Sequence, residues 1–395
     1  MQFWTAELKF YKWKFSFASI IWFVLALTAI IVQLAKGEGS INNFLIYKGV
    51  FWHTVHEQPL YLNYPLEYGD SNHYGPLFSL IILPFAILPT TIGVLLWGIV
   101  NAWILSYAIN KLPLSFKNRN IILLISAVEM MTAMHNMQFN IMLTSWLIFA
   151  WLMVHKKNVF WATFFISLGI LTKIYGIIGL SFFFFTNDKF KFIWSFILWM
   201  AILFALPMII SSPQFIIDSY YDWYQSIVGK NSENTESVMQ NISVMRLVNA
   251  TLKINLENIY FLIVAALAYL LPLLRIKQFK NKNFQLNYLA FLLIGIVIFS
   301  SSAESPTYII AMTGVAIWYS IQTKSLSALL LVVFCLIFTS FSSTDIFPSF
   351  IKAEYIRPYA IKSLPCAIVW IVIFVQAMIK NFISNENNNY SYSSI

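Results

Sequence analysis

An all-α, polytopic integral membrane protein is the fold class this sequence predicts, on three observations: composition, a series of long apolar runs, and the distribution of charge between them. Of 395 residues, 59% are hydrophobic and 10% charged, against about 45–50% and about 25% in soluble domains. A water-soluble globule cannot hide that much apolar surface, and a disordered chain needs the opposite balance. The two cysteines, Cys335 and Cys366, sit in apolar runs without C-x-x-C spacing and form no disulfide framework.

The first apolar run, 15–32, follows Lys9, Lys12 and Lys14 and is long enough to cross a hydrocarbon core of about 30 Å. It has a basic flank like that of a signal peptide, but no small-x-small cleavage site follows. It is therefore read as a retained span. Further runs begin near Pro76, Ile92, Ile121, Phe139, Phe160, Tyr175, Phe192, Ile259, Leu286, Tyr308, Leu326 and Pro365, which predicts about twelve or thirteen transmembrane helices. Four of these runs lie between the first polar loop and Lys156, where an odd number of crossings is required. Runs 76–89 and 121–134 are short, so one of them is expected to be a half-span or a broken helix.

Sixteen basic residues fall at the N-terminus, between Lys111 and Arg119, at Lys156–Lys157, at Lys189 and Lys191, between Arg275 and Lys282, and at Lys324 and Lys380, with only Glu7, Asp188 and Glu386 among them. The alternate segments, at about 35–75, 212–258, 301–307 and 342–364, hold eight basic and twelve acidic residues. By the positive-inside rule the first set is cytoplasmic. The net charge of +9 is then a topology signal, and no nucleic-acid partner is expected. The chain reads as a single multi-pass domain over 1–385, followed by a polar tail at 386–395 expected to be disordered. Long aromatic, acidic outer loops suggest a site at the membrane surface, and no two self-similar halves of the transporter kind are visible.

In the first outer loop, residues 42–56 (NNFLIYKGVFWHTVH) read as an interfacial helix with Phe44, Tyr47, Val50, Phe51 and Val55 on its apolar face and Trp52 at headgroup level. Asn42 or Asn43 is expected to cap it. A polar stretch, NYPLEYGDSNHYGP at 63–76, follows with Glu67, Asp70 and His73.

The run NNFLIYKGVFW…QPLYLNYPLEYGDSNHYGPLFSLIILPFAILP, with HNMQFNIMLTSWLIFAW and SLGILTKIYGIIGL after it, resembles glycosyltransferase family 87, the polyprenol-phosphate-mannose-dependent mannosyltransferases. The resemblance covers about residues 40–185, with a looser echo in SSAESPTYIIAMTG at 301–314. It implies a GT-C-like fold and an inverting, metal-independent hexosyltransferase. That enzyme would take a polyprenyl-phosphate sugar as donor and a lipid-linked or glycan acceptor, at the outer face of the cell membrane and without a cofactor. At the position of the family's catalytic aspartate this chain has Asn43, whose amide cannot take a proton from an acceptor hydroxyl. Either the base lies elsewhere or the chain is a silent relative. The glycine of the family's GQ-x-N motif is Met137 here, with Gln138 and Asn140 kept. A membrane transporter or lipid flippase is the alternative function.

Transfer from a lipid phosphate needs a base for the acceptor, cations or donors for the departing phosphate, and a groove for the lipid. Asp70 is the first candidate base, backed by Glu67 and Glu57; Asp70 equally suits the start of a turn through Gly69-Asp70-Ser71-Asn72. If Asp70 lies against the bilayer, desolvation would make it a better base. Arg246 and Arg357 are candidate phosphate ligands among the outer cations Lys48, Lys230, Lys253, Lys352 and Lys362, with a headgroup contact as the alternative for each. Tyr355 and Tyr359 are expected to hold Arg357 rigid. Lys173 matches the lysine of the family's later motif, and a structural ion pair with Glu129 is its alternative role. Gln138 and Asn140, with Tyr47 and Tyr74, complete the substrate-binding set; His135 and Gln138 are spaced to share a helical face, Asn140 projects elsewhere unless the helix breaks, and simple polar packing is the alternative for Asn140. No H-x-x-x-H, H-E-x-x-H or D-x-D occurs, so no metal site is predicted, and His53-x-x-His56 lacks further ligands. Nucleotide-binding and serine-hydrolase motifs are absent.

Overall fold

The computed structural model describes residues 7–10, 13–237, 239–323 and 325–382. Lys12, Lys324 and the polar tail, all singled out in the sequence, lie outside them. A short antiparallel hairpin, β1 (Glu7–Phe10) and β2 (Trp13–Ser16), leads into a chain that is helical from there on.

α1 (Phe17–Lys36) starts where the Ser16 hydroxyl accepts the Ser19 amide and stops at Gly37, whose φ of 95° suits glycine. Its 20 residues cover about 30 Å. α2 (Asn42–Val55) is the helix expected in the first loop, and Phe44, Tyr47, Val50 and Phe51 are buried in it while Trp52 stays 40% exposed. Neither asparagine caps it. Ile41 occupies the N-cap, the Asn42 carbonyl oxygen accepts the Gly69 amide at 2.7 Å, and the Asn43 amide donates to the Asn136 carbonyl at 2.7 Å. Both side chains tie loops together instead of ending a helix.

α3 (Phe78–Ala86) settles the parity question. It has nine residues and contains Pro84, so it reaches only about 14 Å. The chain turns at Pro89 into α4 (Thr90–Lys111), and Lys48 of α2 donates to the Thr90 hydroxyl at 3.1 Å. α3 therefore begins and ends at the same end of the bundle. The other short run, 121–134, belongs to a full-length helix, α5 (Phe116–His135), because the polar segment before it is helical too and is capped by Ser115. The α1 stripe Ala18, Trp22, Ala26, Ala29 and Ile30 packs on α4 and α5, and the Trp22 indole donates to the Ala102 carbonyl at 3.0 Å.

α6 (Asn140–His155), α7 (Val159–Thr172) and a 12-residue 3₁₀ helix (Ile174–Phe185) follow. The steeper rise of a 3₁₀ helix lets twelve residues cover about 24 Å. α8 (Lys189–Ala205) leads to the second loop, which is not irregular: it folds into α9 (Pro213–Glu236), capped by Ser212, and α10 (Val244–Leu252), capped by Ser243. The remaining helices are α11 (Asn258–Leu270), α12 (Lys282–Ile298), α13 (Tyr308–Ser320), α14 (Leu326–Cys335), the single turn α15 (Ser349–Ile351) and α16 (Ser363–Ile379). Among the described residues, four helical segments are both 18 residues or longer and apolar enough to cross a membrane. Read as crossings, α1, α4 to α7, the 3₁₀ helix, α8, α11 to α14 and α16 make twelve. α12 and α13 are buried on nearly every side and form the centre of the bundle.

Contacts sort the helix ends into two groups. At one end Asn118 meets Ser320, and Arg275 reaches the Ala377 and Lys380 carbonyls. At the other, Gly75 meets Thr172, Ile242 meets Ala303, and Tyr175 meets Ser300. The first group is the end of the basic segments.

Candidate functional site

At the second end a cavity of about 580 Å³ opens between the loops. Two local features build its floor. The hairpin of α7 and the 3₁₀ helix closes tightly because Gly169 and Gly176 touch: a Cβ on Gly176 would lie 2.4 Å from the Gly169 carbonyl carbon. Lys173 sits at the tip of that hairpin. The first loop presses onto the same tip at Gly75, whose amide donates to the Thr172 carbonyl at 3.0 Å and whose Cβ, if present, would lie 2.1 Å from the Leu171 oxygen. This contact carries Tyr74 to Lys173.

The Lys173 ammonium lies over the Tyr175 and Tyr74 rings at 5.0 and 5.6 Å and donates to the Asn140 carbonyl oxygen at 2.8 Å. Asn140 passes the polarity on, its amide donating to the Gln138 oxygen at 3.2 Å, and the Gln138 amide points at the Glu304 carboxylate at 3.5 Å. A donor-only ammonium at one end and an acceptor-only carboxylate at the other fix the orientation of both amides. Tyr47 and Tyr74 share a hydroxyl contact of 3.1 Å at the cavity wall; burial holds both phenols well above their ordinary range, so they act as neutral hydroxyls.

The predicted residues separate into two sets. Asn43, Tyr47, Asp70, Tyr74, Gln138, Lys173 and Arg357 all line the cavity, and Asn140 stands directly behind Gln138 and Lys173. Its position depends on a helix break, without which the spacing sends it to another face. Met137 adopts φ 49°, ending α5 before α6 starts, so His135 and Gln138 share no helical face. Asp70 is exposed, not desolvated, and its Oδ1 accepts the Ser71 amide at 2.8 Å in a local turn. Glu67 is outside the cavity, held by His53 at 3.1 Å, and Glu57 accepts the Ser212 amide at 2.9 Å.

Arg246 also stands outside the lining: its guanidinium donates to the Ser237 carbonyl at 2.7 Å and the Pro358 carbonyl at 3.4 Å, bracing the second loop against the third. Arg357 projects into the cavity, but Tyr355 and Tyr359 turn to the surface, 56% and 38% exposed, and do not clamp it. The expected Lys173–Glu129 pair does not form. Glu129 instead meets Lys362 at 2.7 Å in a buried ion pair. Lys362 spends its two other protons on Ser305 and Ser343, at 2.9 and 2.7 Å. Lys48 and Lys253 lie outside the cavity, whereas Lys230, Lys352 and Lys362 line it.

Five cationic side chains thus face two carboxylates, Asp70 and Glu304. Glu304 was not singled out in the sequence. Its signals were its place in SSAESPTYIIAMTG, the looser echo of the family at 301–314, and its being an acid in the short loop between two apolar runs. Burial pushes its carboxyl above the usual range, and the Lys173 ammonium pulls it back down. A second pocket of about 450 Å³ adjoins the first, sharing Ser71, His73 and Lys230 and walled by Tyr61, Asn63, Asp222 and Gln225. α9 is fastened there by Trp223, which donates to the His73 carbonyl at 2.9 Å.

No individual curated protein matches this chain significantly. The sequence profile of glycosyltransferase family 87 matches residues 72–302. The matched span takes in Gln138, Asn140 and Lys173, begins after the α2 segment with Asn43, and ends two residues before Glu304. With more than half of its length matched in this way, the chain belongs to glycosyltransferase family 87 and is a membrane glycosyltransferase.

Proposed function

We propose that the protein moves a mannose-like hexose from a polyprenyl-phosphate sugar to a lipid-linked or glycan acceptor at the extracytoplasmic face of the cell membrane. The observation that carries this reading is the cationic cavity at the end of the bundle away from the basic segments. A departing polyprenyl phosphate is an anion, best stabilised by donors already aimed at it. Lys173 has a single hydrogen-bond partner among the described residues, so its remaining N–H groups are available to the phosphate. Lysines and arginines gathered at the opposite end support a cytoplasmic position for that end. The side pocket, with aromatic, amide and carboxylate groups, suits a saccharide acceptor arriving from water. A centre filled by α12 and α13 favours chemistry at one surface over passage between two.

The acceptor oxygen displaces the phosphate from the anomeric carbon in one step, which inverts that carbon. Transfer is expected to need no metal ion. Purified protein in nanodiscs, given farnesyl phosphate mannose and octyl mannoside, is expected to yield a disaccharide product and farnesyl phosphate, with the rate unchanged by EDTA. Direct use of GDP-mannose, or loss of activity in EDTA with recovery on adding a divalent ion, would overturn the reading.

A further inference from the structure

We propose that Glu304 is the general base that takes the proton from the acceptor hydroxyl. This assignment rests on the transferase reading above and names the group that Asn43 cannot supply. Of the two carboxylates on the cavity wall, Asp70 is exposed and turned into its own loop through the Ser71 amide. Glu304 is the one held in place. Its flanking backbone is pinned on both sides, the Ile242 amide donating to the Ala303 carbonyl at 2.7 Å and the Thr307 amide to the Glu304 carbonyl at 3.0 Å.

Gln138 approaches Oε2 at 3.5 Å, and Oε1 has no hydrogen-bond partner among the described residues. A carboxylate whose backbone is pinned at the cavity wall, with one oxygen unbonded, is the arrangement a general base requires. The charged and titratable groups around it are Lys173, Lys230, Asp70, Tyr47, Tyr74 and Tyr175. Burial raises its proton affinity and the Lys173 ammonium opposes that rise; a carboxylate of raised proton affinity is a stronger base than an ordinary one.

In the step, the acceptor O–H proton passes to Glu304 as the acceptor oxygen bonds to the anomeric carbon. The bond from that carbon to the phosphate oxygen breaks, its electron pair staying on the phosphate beside Lys173. Polyprenyl phosphate leaves without needing a proton, and Glu304 later returns its proton to water.

The test uses full-length protein in nanodiscs with farnesyl phosphate mannose and octyl mannoside. Glu304→Gln is expected to lower kcat by about 10²–10⁴-fold while farnesyl phosphate binds as in wild type. Glu304→Asp is expected to retain part of the activity. The wild-type rate should fall on acidification with a midpoint above the usual carboxylate range, and that limb should vanish in the residual activity of Glu304→Gln. Transfer by wild type that survives Glu304→Gln, or that is lost in Asp70→Asn instead, overturns the assignment and leaves the transferase reading standing. If Glu304→Gln no longer binds farnesyl phosphate, the wild-type pH profile and Glu304→Asp decide: an acid limb with an active aspartate variant supports the assignment, and a flat profile overturns it. Absence of transfer by wild type overturns the reading and the assignment together.

Discussion

The Lys362 ammonium and the Glu129 carboxylate meet at 2.7 Å with 3% and 0% of their side chains exposed, although 233 positions separate them in sequence. Two further bonds to Ser305 and Ser343 use up the ammonium. Lys362 therefore lines the cavity as a brace and has no proton left for a phosphate. The pair fixes the third loop, with Arg357, onto the middle of α5.

Breaking one side of such a pair leaves a buried charge alone, at about 3–5 kcal/mol. Lys362→Met and Glu129→Leu singly are expected to destabilise by that order, and the double variant by clearly less than either. Thermal unfolding in detergent measures all three. A loss in the double variant equal to the sum of the two single losses would show that the pair is not coupled.

Of the other cavity cations, Lys173 is the one that continues the polar chain of Asn140, Gln138 and Glu304. Lys173→Met is expected to weaken farnesyl phosphate binding by about 10–100-fold, the value of a charge-assisted hydrogen bond. Asn140→Asp should weaken it too, by placing an anion where the Lys173 ammonium now meets an amide oxygen at 2.8 Å. Titration calorimetry at two salt concentrations reads both effects. Unchanged affinity in Lys173→Met would move the phosphate to Lys230, Lys352 or Arg357.

How much of this was legible in the sequence follows the range of each interaction. Apolar runs and their charged flanks are local, so the helical membrane fold was readable. The half-span at α3 needed Pro84 and the Lys48–Thr90 contact to be distinguished from the run inside α5. Tyr74, Gln138, Lys173 and Arg357 were readable as cavity residues from motif and composition. The partner of Glu129 was not, because Lys362 arrives from a loop more than two hundred residues away. Glu304 was counted as an acid in the 301–307 loop and lay in the loose family echo, but it was given no role, since its value comes from Lys173, Asn140 and Gln138, which only folding brings into line with it.

Orientation in the membrane is tested by labelling. Asn72 and Asn234, in the first two long loops, are 0% and 1% exposed, so cysteines there would be shielded. Leu66 and Tyr221, 101% and 66% exposed, are suitable. Leu66→Cys and Tyr221→Cys are expected to react with an impermeant maleimide on intact cells, and Lys280→Cys only after permeabilisation; native Cys335 and Cys366 are buried. Labelling of Lys280→Cys alone on intact cells would put the cavity on the cytoplasmic side.

Asn43 is the position where this chain departs from the family pattern. Its amide donates to the Asn136 carbonyl at 2.7 Å, and it lines the same cavity as Glu304. An aspartate there loses that bond and sets a carboxylate oxygen against a carbonyl, so Asn43→Asp is expected to destabilise by about 1 kcal/mol. The repelled carboxylate then turns toward the cavity. In wild type it should add little, because Glu304 already takes the proton. In the Glu304→Gln background it should recover at least tenfold of the lost kcat, with the acid limb shifted toward the ordinary carboxylate range, because the introduced carboxylate lies outside the burial that raises Glu304. Steady-state transfer from farnesyl phosphate mannose across pH, run on the single and double variants, measures this. No recovery in the double variant would show that position 43 does not reach the acceptor hydroxyl. Activity absent in wild type but gained with Asn43→Asp alone would mark the native protein as a silent member of its family.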